Sequence, residues 1–302
     1  MERRNFIKKT AITTVGLTAL GTKLFASDTD IKTARELNDF LRSLYTVKEP
    51  SVDRIIVGNP ETRITKVGTC WTPFIQTLKD AKKQGINTLV VHEPTFYTHW
   101  DLDGVDKMTQ EMSNLAKEEY EETIEKKKKW ILDNEMVIIR NHDVMDIIKD
   151  FGMPFALGQA IGFTNEDIVR SKDYYNVYKI EEDTALNVAK RISDALKSLG
   201  QPGVKFYGDE ERMVSTVGLG TGYFCDPKSL KDLDPDLNIA IDDTMRAWEQ
   251  PYFAADTGNP LVVINHGTSE DSGMRLLCEF LNKNINKIEF THFEQGCAYK
   301  WI

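Results

Sequence analysis

Three short apolar runs in this chain each lead straight into side chains that bind metals. Thr88-Leu89-Val90-Val91 runs into His92-Glu93-Pro94, Met136-Val137-Ile138-Ile139 leads to His142 and Asp146, and Leu261-Val262-Val263-Ile264 leads to His266 and Glu270. Unbroken apolar runs of this length read as strands buried on both faces, as in parallel sheets. In open α/β sheets the functional crevice lies beyond the carboxyl ends of the strands. Three such ends carrying imidazoles and carboxylates therefore predict one shared site. The chain has only five histidines, and three of them occupy these positions. Singly each is weak evidence: His142 reads equally well as a core histidine, and Glu270 as a residue favoured by a helix dipole. Together they make a metal centre the leading expectation.

The rest of the chain alternates in the same α/β rhythm. Residues 30–45 carry Ile31, Leu37, Phe40, Leu41 and Leu44 at helical spacing, and strands are expected at 54–57 and 64–70. A helix over 72–84 closed by Gly85 leads to the strand that ends at His92, a strand–helix–strand unit. Residues 106–134 predict a long charged helix with Glu122/Lys126 and Glu125/Lys129 pairs, and the Lys126–Lys129 run reads as a solvated face. Residues 151–162, with three glycines and Pro154, read as a crossover between halves. Beyond it, strands are expected at 175–180, 213–219, 237–241 and from 288, with helices at 185–199, near 244–250 and at 269–281. Gly220-Thr221-Gly222 follows a strand but matches neither phosphate-loop nor dinucleotide spacing, so a tight turn is expected there.

The N-terminus is distinct. Arg3-Arg4-Asn5-Phe6-Ile7-Lys8 followed by a mildly apolar stretch to Ala26 resembles a twin-arginine export signal, with cleavage near Ala26-Ser27 and a periplasmic destination. Removing residues 1–26 takes away five cations and one anion, so a net charge of −9 becomes −13. So acidic a chain has no bulk attraction to nucleic acid or to anionic lipid. No stretch approaches the roughly 20 apolar residues of a membrane span. The four cysteines (Cys70, Cys225, Cys278, Cys297) lack C-x-x-C spacing and read as separate buried thiols.

Three motifs carry a family resemblance. His92-Glu93-Pro94-Thr95-Phe96 is similar to a His-His-Pro motif that ends in an apolar–aromatic pair. His142-Asp143-Val144-Met145-Asp146 resembles His-x-x-x-Asp, and His266-Gly267-Thr268-Ser269-Glu270 resembles a late Gly-His-x-x-Ser-Glu with Asn265 in place of the glycine. These motifs, with the glycine-rich turn at 218–222, resemble the Nif-three-like family of dinuclear-metal hexameric proteins, often labelled GTP cyclohydrolase 1 type 2, over roughly residues 30–295. The resemblance implies an α/β fold of two similar halves with mixed, mostly parallel sheets, and a metal site at the strand ends between them. On this reading 1–26 is the signal, 27–162 the N-terminal half and 163–302 the C-terminal half of one unit.

The resemblance implies two divalent ions (zinc, iron or manganese) held by His92, Asp146, His266 and Glu270, and a homo-oligomeric ring of six. Glu93 departs from the family's second histidine. As a direct ligand it hardens the donor set toward iron and manganese; as a group behind the ligands it leaves one ion weak. The activity implied is a hydrolase acting through a metal-bridging hydroxide on a small-molecule substrate, with His142 and His99 as candidate proton carriers. An exported protein would rarely meet GTP, so the substrate stays open. The alternative is a non-catalytic, metal-stabilised ring that binds a partner or stores metal.

The signal assignment has a direct test. Replacing Arg3 and Arg4 with lysine should trap the protein in the cytoplasm, because the paired guanidinium groups are what the export route reads. Unchanged export of that variant, measured by fractionation, rules the assignment out.

Overall fold

The computed structural model describes residues 30–103, 111–220, 222, 225, 228–245, 248–300 and 302. The signal expected at 1–26 lies outside the described residues, as do Thr221 of the glycine turn and residues 106–110 of the expected long helix.

The first sheet holds β1 (Arg54–Val57), β2 (Lys66–Cys70), β3 (Thr88–Val91), β4 (Val137–Arg140) and β11 (Glu289–His292) in the order β1-β4-β3-β2-β11. Every pairing is parallel except that of edge strand β1. β3 and β4 are buried along their whole length, as their unbroken apolar runs require. Their side chains alternate between faces. Val90, Val137 and Ile139 pack with Leu37 and Leu41 of α1 (Ala34–Ser43) and with Met274, Leu277 and Leu281 of α8 (His266–Asn284). Leu89, Val91 and Ile138 pack with Leu78 of α2 (Ile75–Lys83) and Ile131 of α3 (Asn114–Asp133). Helix α1 begins with a capping box, in which Thr33 and Glu36 satisfy each other's free backbone N–H groups.

The second sheet holds β5 (Ile168–Lys172), β6 (Tyr175–Thr184), β7 (Lys205–Tyr207), β8 (Met213–Leu219), β9 (Leu237–Ile241) and β10 (Leu261–Ile264) in the order β5-β6-β8-β9-β10-β7. Its centre, β8-β9-β10, is parallel and its flanks are antiparallel. Across both sheets the parallel pairings outnumber the antiparallel ones, so the mixed, mostly parallel α/β expectation holds. One face is covered by α5 (Met153–Ala160) and α6 (Ala185–Leu196), the other by α7 (Glu249–Thr257). The chain's end returns to the first sheet, where β11 pairs with β2.

Several elements differ from the sequence reading. The 151–162 segment contains helix α5, because Pro154 occupies its first turn, where no N–H donor is needed. α7 starts at Glu249, with Pro251 likewise in its first turn. β5 went unseen because it is an exposed edge strand with a mostly polar sequence. All four cysteines are free thiols, three of them buried.

The Lys126–Lys129 run is not uniformly solvated. Lys126 pairs with Glu122 at 2.8 Å and Lys129 with Asp133 at 2.7 Å, both in the open. Lys127 turns inward: its Nζ donates to Thr95 O at 2.7 Å and lies 5.2 Å from the Tyr97 ring centroid. Burial pushes its pKa from 10.5 down to about 8, against the pull of Asp101. The folded state therefore binds fewer protons than the unfolded chain between pH 8 and 10.5, and stability contributed at this site rises with pH across that window. The unfolding free energy of wild type relative to Lys127→Met should shift by about 3 kcal/mol in favour of wild type over that range. Urea denaturation at both ends measures it; a gap independent of pH would contradict the buried charge.

Candidate metal centre

The site is assembled from the carboxyl ends of strands in both sheets. β3 ends one residue before His92 and Glu93. β4 ends at Arg140, and the short helix α4 (Asp143–Ile147) that follows carries Asp146 one turn beyond His142. In the second sheet, β10 ends one residue before Asn265, which caps α8 by accepting from Thr268 N. His266 and Glu270 then lie one helical turn apart on α8, on the same side.

Glu270 Oε2 is the meeting point. It lies 3.3 Å from His92 Nε2 and 2.9 Å from His266 Nε2, imidazoles that belong to opposite sheets. Asp146 Oδ1 stands 3.6 Å from His92 Nε2 on one flank, and Glu93 Oε1 stands 3.3 Å from His266 Nε2 on the other. The donor atoms of His92, Asp146 and Glu270 cluster within 4.8 Å, as do those of Glu93, His266 and Glu270. Every residue expected to bind metal is therefore brought together, Glu93 included.

Neighbouring polar groups hold these side chains in place. Asp53 accepts from the backbone N–H groups of His142 (2.5 Å), Asp143 (2.9 Å) and Val144 (2.8 Å), pinning the start of α4. Asp242, just past β9, accepts from His266 N and from Asn265 Nδ2, both at 3.0 Å, and so anchors the start of α8. Asp243 Oδ2 lies 3.3 Å from His266 Nδ1, leaving Nε2 to face the site. Trp71, just past β2, donates from Nε1 to Glu270 Oε2 at 2.9 Å. Only glycine fits at 267, because a Cβ there would come within 2.9 Å of the Trp71 ring and 2.6 Å of Gly296 O. Arg140, fully buried, donates from Nε to His92 O at 2.9 Å and from Nη1 to His99 O, and its Nη2 lies 3.7 Å from Glu93 Oε2. Glu93 thus turns one oxygen to arginine and the other to His266.

The two candidate proton carriers lie beside this cluster. His142 stacks on His92 with centroids 4.4 Å apart, and its Nδ1 is 2.9 Å from Asp143 Oδ1 and 3.3 Å from Asp146 Oδ2. His99 meets His142 edge-on at 5.6 Å. Burial works to depress the His142 imidazole, but the Asp146 charge and the Asp143 hydrogen bond raise it to about 9. Burial, then the Arg140 charge, lowers His99. His266 is lifted well above its ordinary value, since Glu270, Asp243 and Glu93 outweigh its burial. Burial would raise Glu93, yet the His266 imidazole beside it and the His142 charge bring it down to about 2.

The donor set fits a divalent cation. Both ring nitrogens of His92 and Nε2 of His266 are buried without an aligned hydrogen-bond partner among the described residues. Buried polar atoms are normally satisfied, so the two Nε2 atoms, both facing carboxylates, call for a ligand. Two imidazoles with three carboxylates suit iron, manganese or zinc.

Sequence reasoning missed Trp71, Arg140, Asp53, Asp242 and Asp243. Asp242 and Asp243 follow the apolar run Leu237–Ile241, and Trp71 follows Lys66–Cys70, so the strand-end rule that found the histidines applied to them too. Arg140 was signalled by a charge closing an apolar strand, which must find buried partners.

Comparison with known proteins agrees with this architecture. A Staphylococcus aureus hypothetical protein, SA1388, shares the fold at TM-score 0.69 and 15% identity, covering 90% of this chain and 100% of its own. A Bacillus cereus protein related to NIF3 does so at TM-score 0.70 and 12% identity, over 90% of this chain and 99% of that one. Reduced HcgD from Methanocaldococcus jannaschii does so at TM-score 0.64 and 20% identity, over 88% and 98%. No curated protein matches the chain. The family model described as Duf34/NIF3 (NGG1p interacting factor 3) matches residues 34–296, and the chain belongs to that family.

Proposed function

We propose that the protein holds two divalent metal ions in one dinuclear centre and uses them as a metal-dependent hydrolase. The observation that carries this reading is the shared carboxylate: Glu270 belongs to two donor groups, one with His92 and Asp146, the other with His266 and Glu93. Two such ions supply Lewis acidity and lower the pKa of water toward neutrality. The protein's own groups supply the rest. Arg140 and Asp243 fix Glu93 and His266 from behind. His92 and Glu270 lie fully buried, whereas Glu93, His142 and His266 each keep about one-seventh of their side chains exposed, so a substrate approaches over those three. With its Nδ1 held by Asp143, His142 has Nε2 to exchange protons with that substrate, and His99 is placed to pass them outward. The hexameric ring and the periplasmic location belong to the same proposal, resting on the family and on the N-terminal arginine pair.

Metal content by mass spectrometry tests the centre. Glu270→Ala should lose both ions, while Asp146→Ala and Glu93→Ala should each retain about one equivalent. Full occupancy in Glu93→Ala would make Glu93 a supporting residue only. Turnover should then be sought on nucleotide, phosphoester and amide panels. Hydrolysis that His142→Gln lowers by about 100-fold at unchanged metal content supports the enzyme. A fully metallated protein with no turnover on any panel favours the non-catalytic ring that stores metal or binds a partner.

A further inference from the structure

Gly222, in the glycine turn after β8, lies beside the metal centre. Gly222 is buried, and a Cβ built on it would sit 2.8 Å from Glu270 Oε1 and 3.0 Å from His266 Nε2. Real Cβ atoms essentially never show the first of these separations, and the second is tighter than almost all real contacts. The space over the Gly222 α-carbon is thus the space that these two donor atoms share. One of them, His266 Nε2, is a buried atom with no aligned hydrogen-bond partner among the described residues.

Gly220 and Gly222 are both tied to Cys225. Gly220 N donates to Cys225 Sγ at 3.1 Å, Cys225 Sγ donates to Ile239 O at 2.8 Å, and Cys225 N donates to Gly222 O at 3.1 Å. The fully buried Cys225 thiol therefore clasps the turn to β9. Gly222 has φ +35°, a backbone conformation that side chains rarely adopt, so the turn favours glycine on its own account. Backbone conformation and the two donor atoms therefore both select glycine at this position.

We propose that Gly222 is the wall of one metal position, the one formed by Glu93, His266 and Glu270, and that its missing side chain is what leaves room there for an ion. The inference rests on the two-ion reading above but makes a separate claim about which position the wall limits. A methyl group at 222 blocks that position and leaves the position on His92, Asp146 and Glu270 open. Gly222 is then a determinant of stoichiometry without being a ligand.

The test loads purified wild type, Gly222→Ala and Cys225→Ala with Mn²⁺, and separately with Zn²⁺, and reads equivalents bound and the Mn²⁺ electron paramagnetic resonance spectrum. Wild type should bind two equivalents and give the spectrum of a spin-coupled pair. Gly222→Ala should bind one and give the spectrum of an isolated ion. Cys225→Ala loosens the clasp but adds no atom at the site, and should keep two. Two equivalents in Gly222→Ala overturn the inference and leave the two-ion reading standing. A single ion in wild type overturns the two-ion reading; the inference then survives only if Gly222→Ala loses that ion. Should Gly222→Ala fail to fold, a Mn²⁺-soaked crystal of wild type decides: an ion touching the Gly222 α-carbon supports the wall, and ions out of contact with it overturn it.

Discussion

Glu270 sets a carboxylate between two imidazoles that arrive from different sheets, and the architecture of this protein turns on that one group. An isolated carboxylate taken out of water is costly and would normally take up a proton instead. Here its pKa is driven well below the usual range, because burial is outweighed by the His266 and His92 rings beside it. The helix that carries it does two jobs. Its first turn completes the site next to β10, and its later turns, through Met274, Leu277 and Leu281, fill the core of the first sheet. Displacing α8 would therefore open the centre and empty a core at once.

Around this carboxylate the protein has buried Asp53, Arg140 and Asp146 besides Glu270, with Glu93 largely covered beside them. Breaking a buried pair by removing one member commonly costs about 3–5 kcal/mol, because the remaining charge is stranded. Such networks are weak evidence for stability and stronger evidence for specified geometry. Each charge here fixes a backbone segment or a ring: Asp53 the start of α4, Asp242 the start of α8, Arg140 the loop from His92 to Asp101. The donor atoms are held ready, so a cation binding there needs little rearrangement of the protein.

Glu93 stands where the family's motif has a second histidine, and its surroundings explain how the exchange is accommodated. An imidazole would have little use for a buried guanidinium at its back, whereas a carboxylate divides its two oxygens between Arg140 and His266. The added anion is offset within the site, and one oxygen remains directed at His266, 3.3 Å from its Nε2. This favours the direct-ligand reading of Glu93 over the supporting one, and with it a harder donor set.

Local pattern made the strand ends and the candidate donor residues that follow them legible. A short unbroken apolar run bounded by turn residues reads as a strand covered on both faces, and the residue that follows such a strand lies at the sheet's end. His92, Asp146, His266 and Glu270 were readable for that reason, and Glu93 was readable as a departure. The tertiary structure decided what depends on partners distant in sequence. Lys127 looked like its solvated neighbours, and only the Thr95 carbonyl packed against α3 shows that it turns inward. Asp53, Arg140, Trp71 and Asp243 act through contacts with chain far away in sequence, which no periodicity encodes. Gly222 read as a turn residue; that its missing side chain borders Glu270 and His266 follows from the packing of two segments nearly fifty residues apart. Sequence spacing reports what a residue does to its own backbone, whereas a shared site is made by which ends are brought face to face.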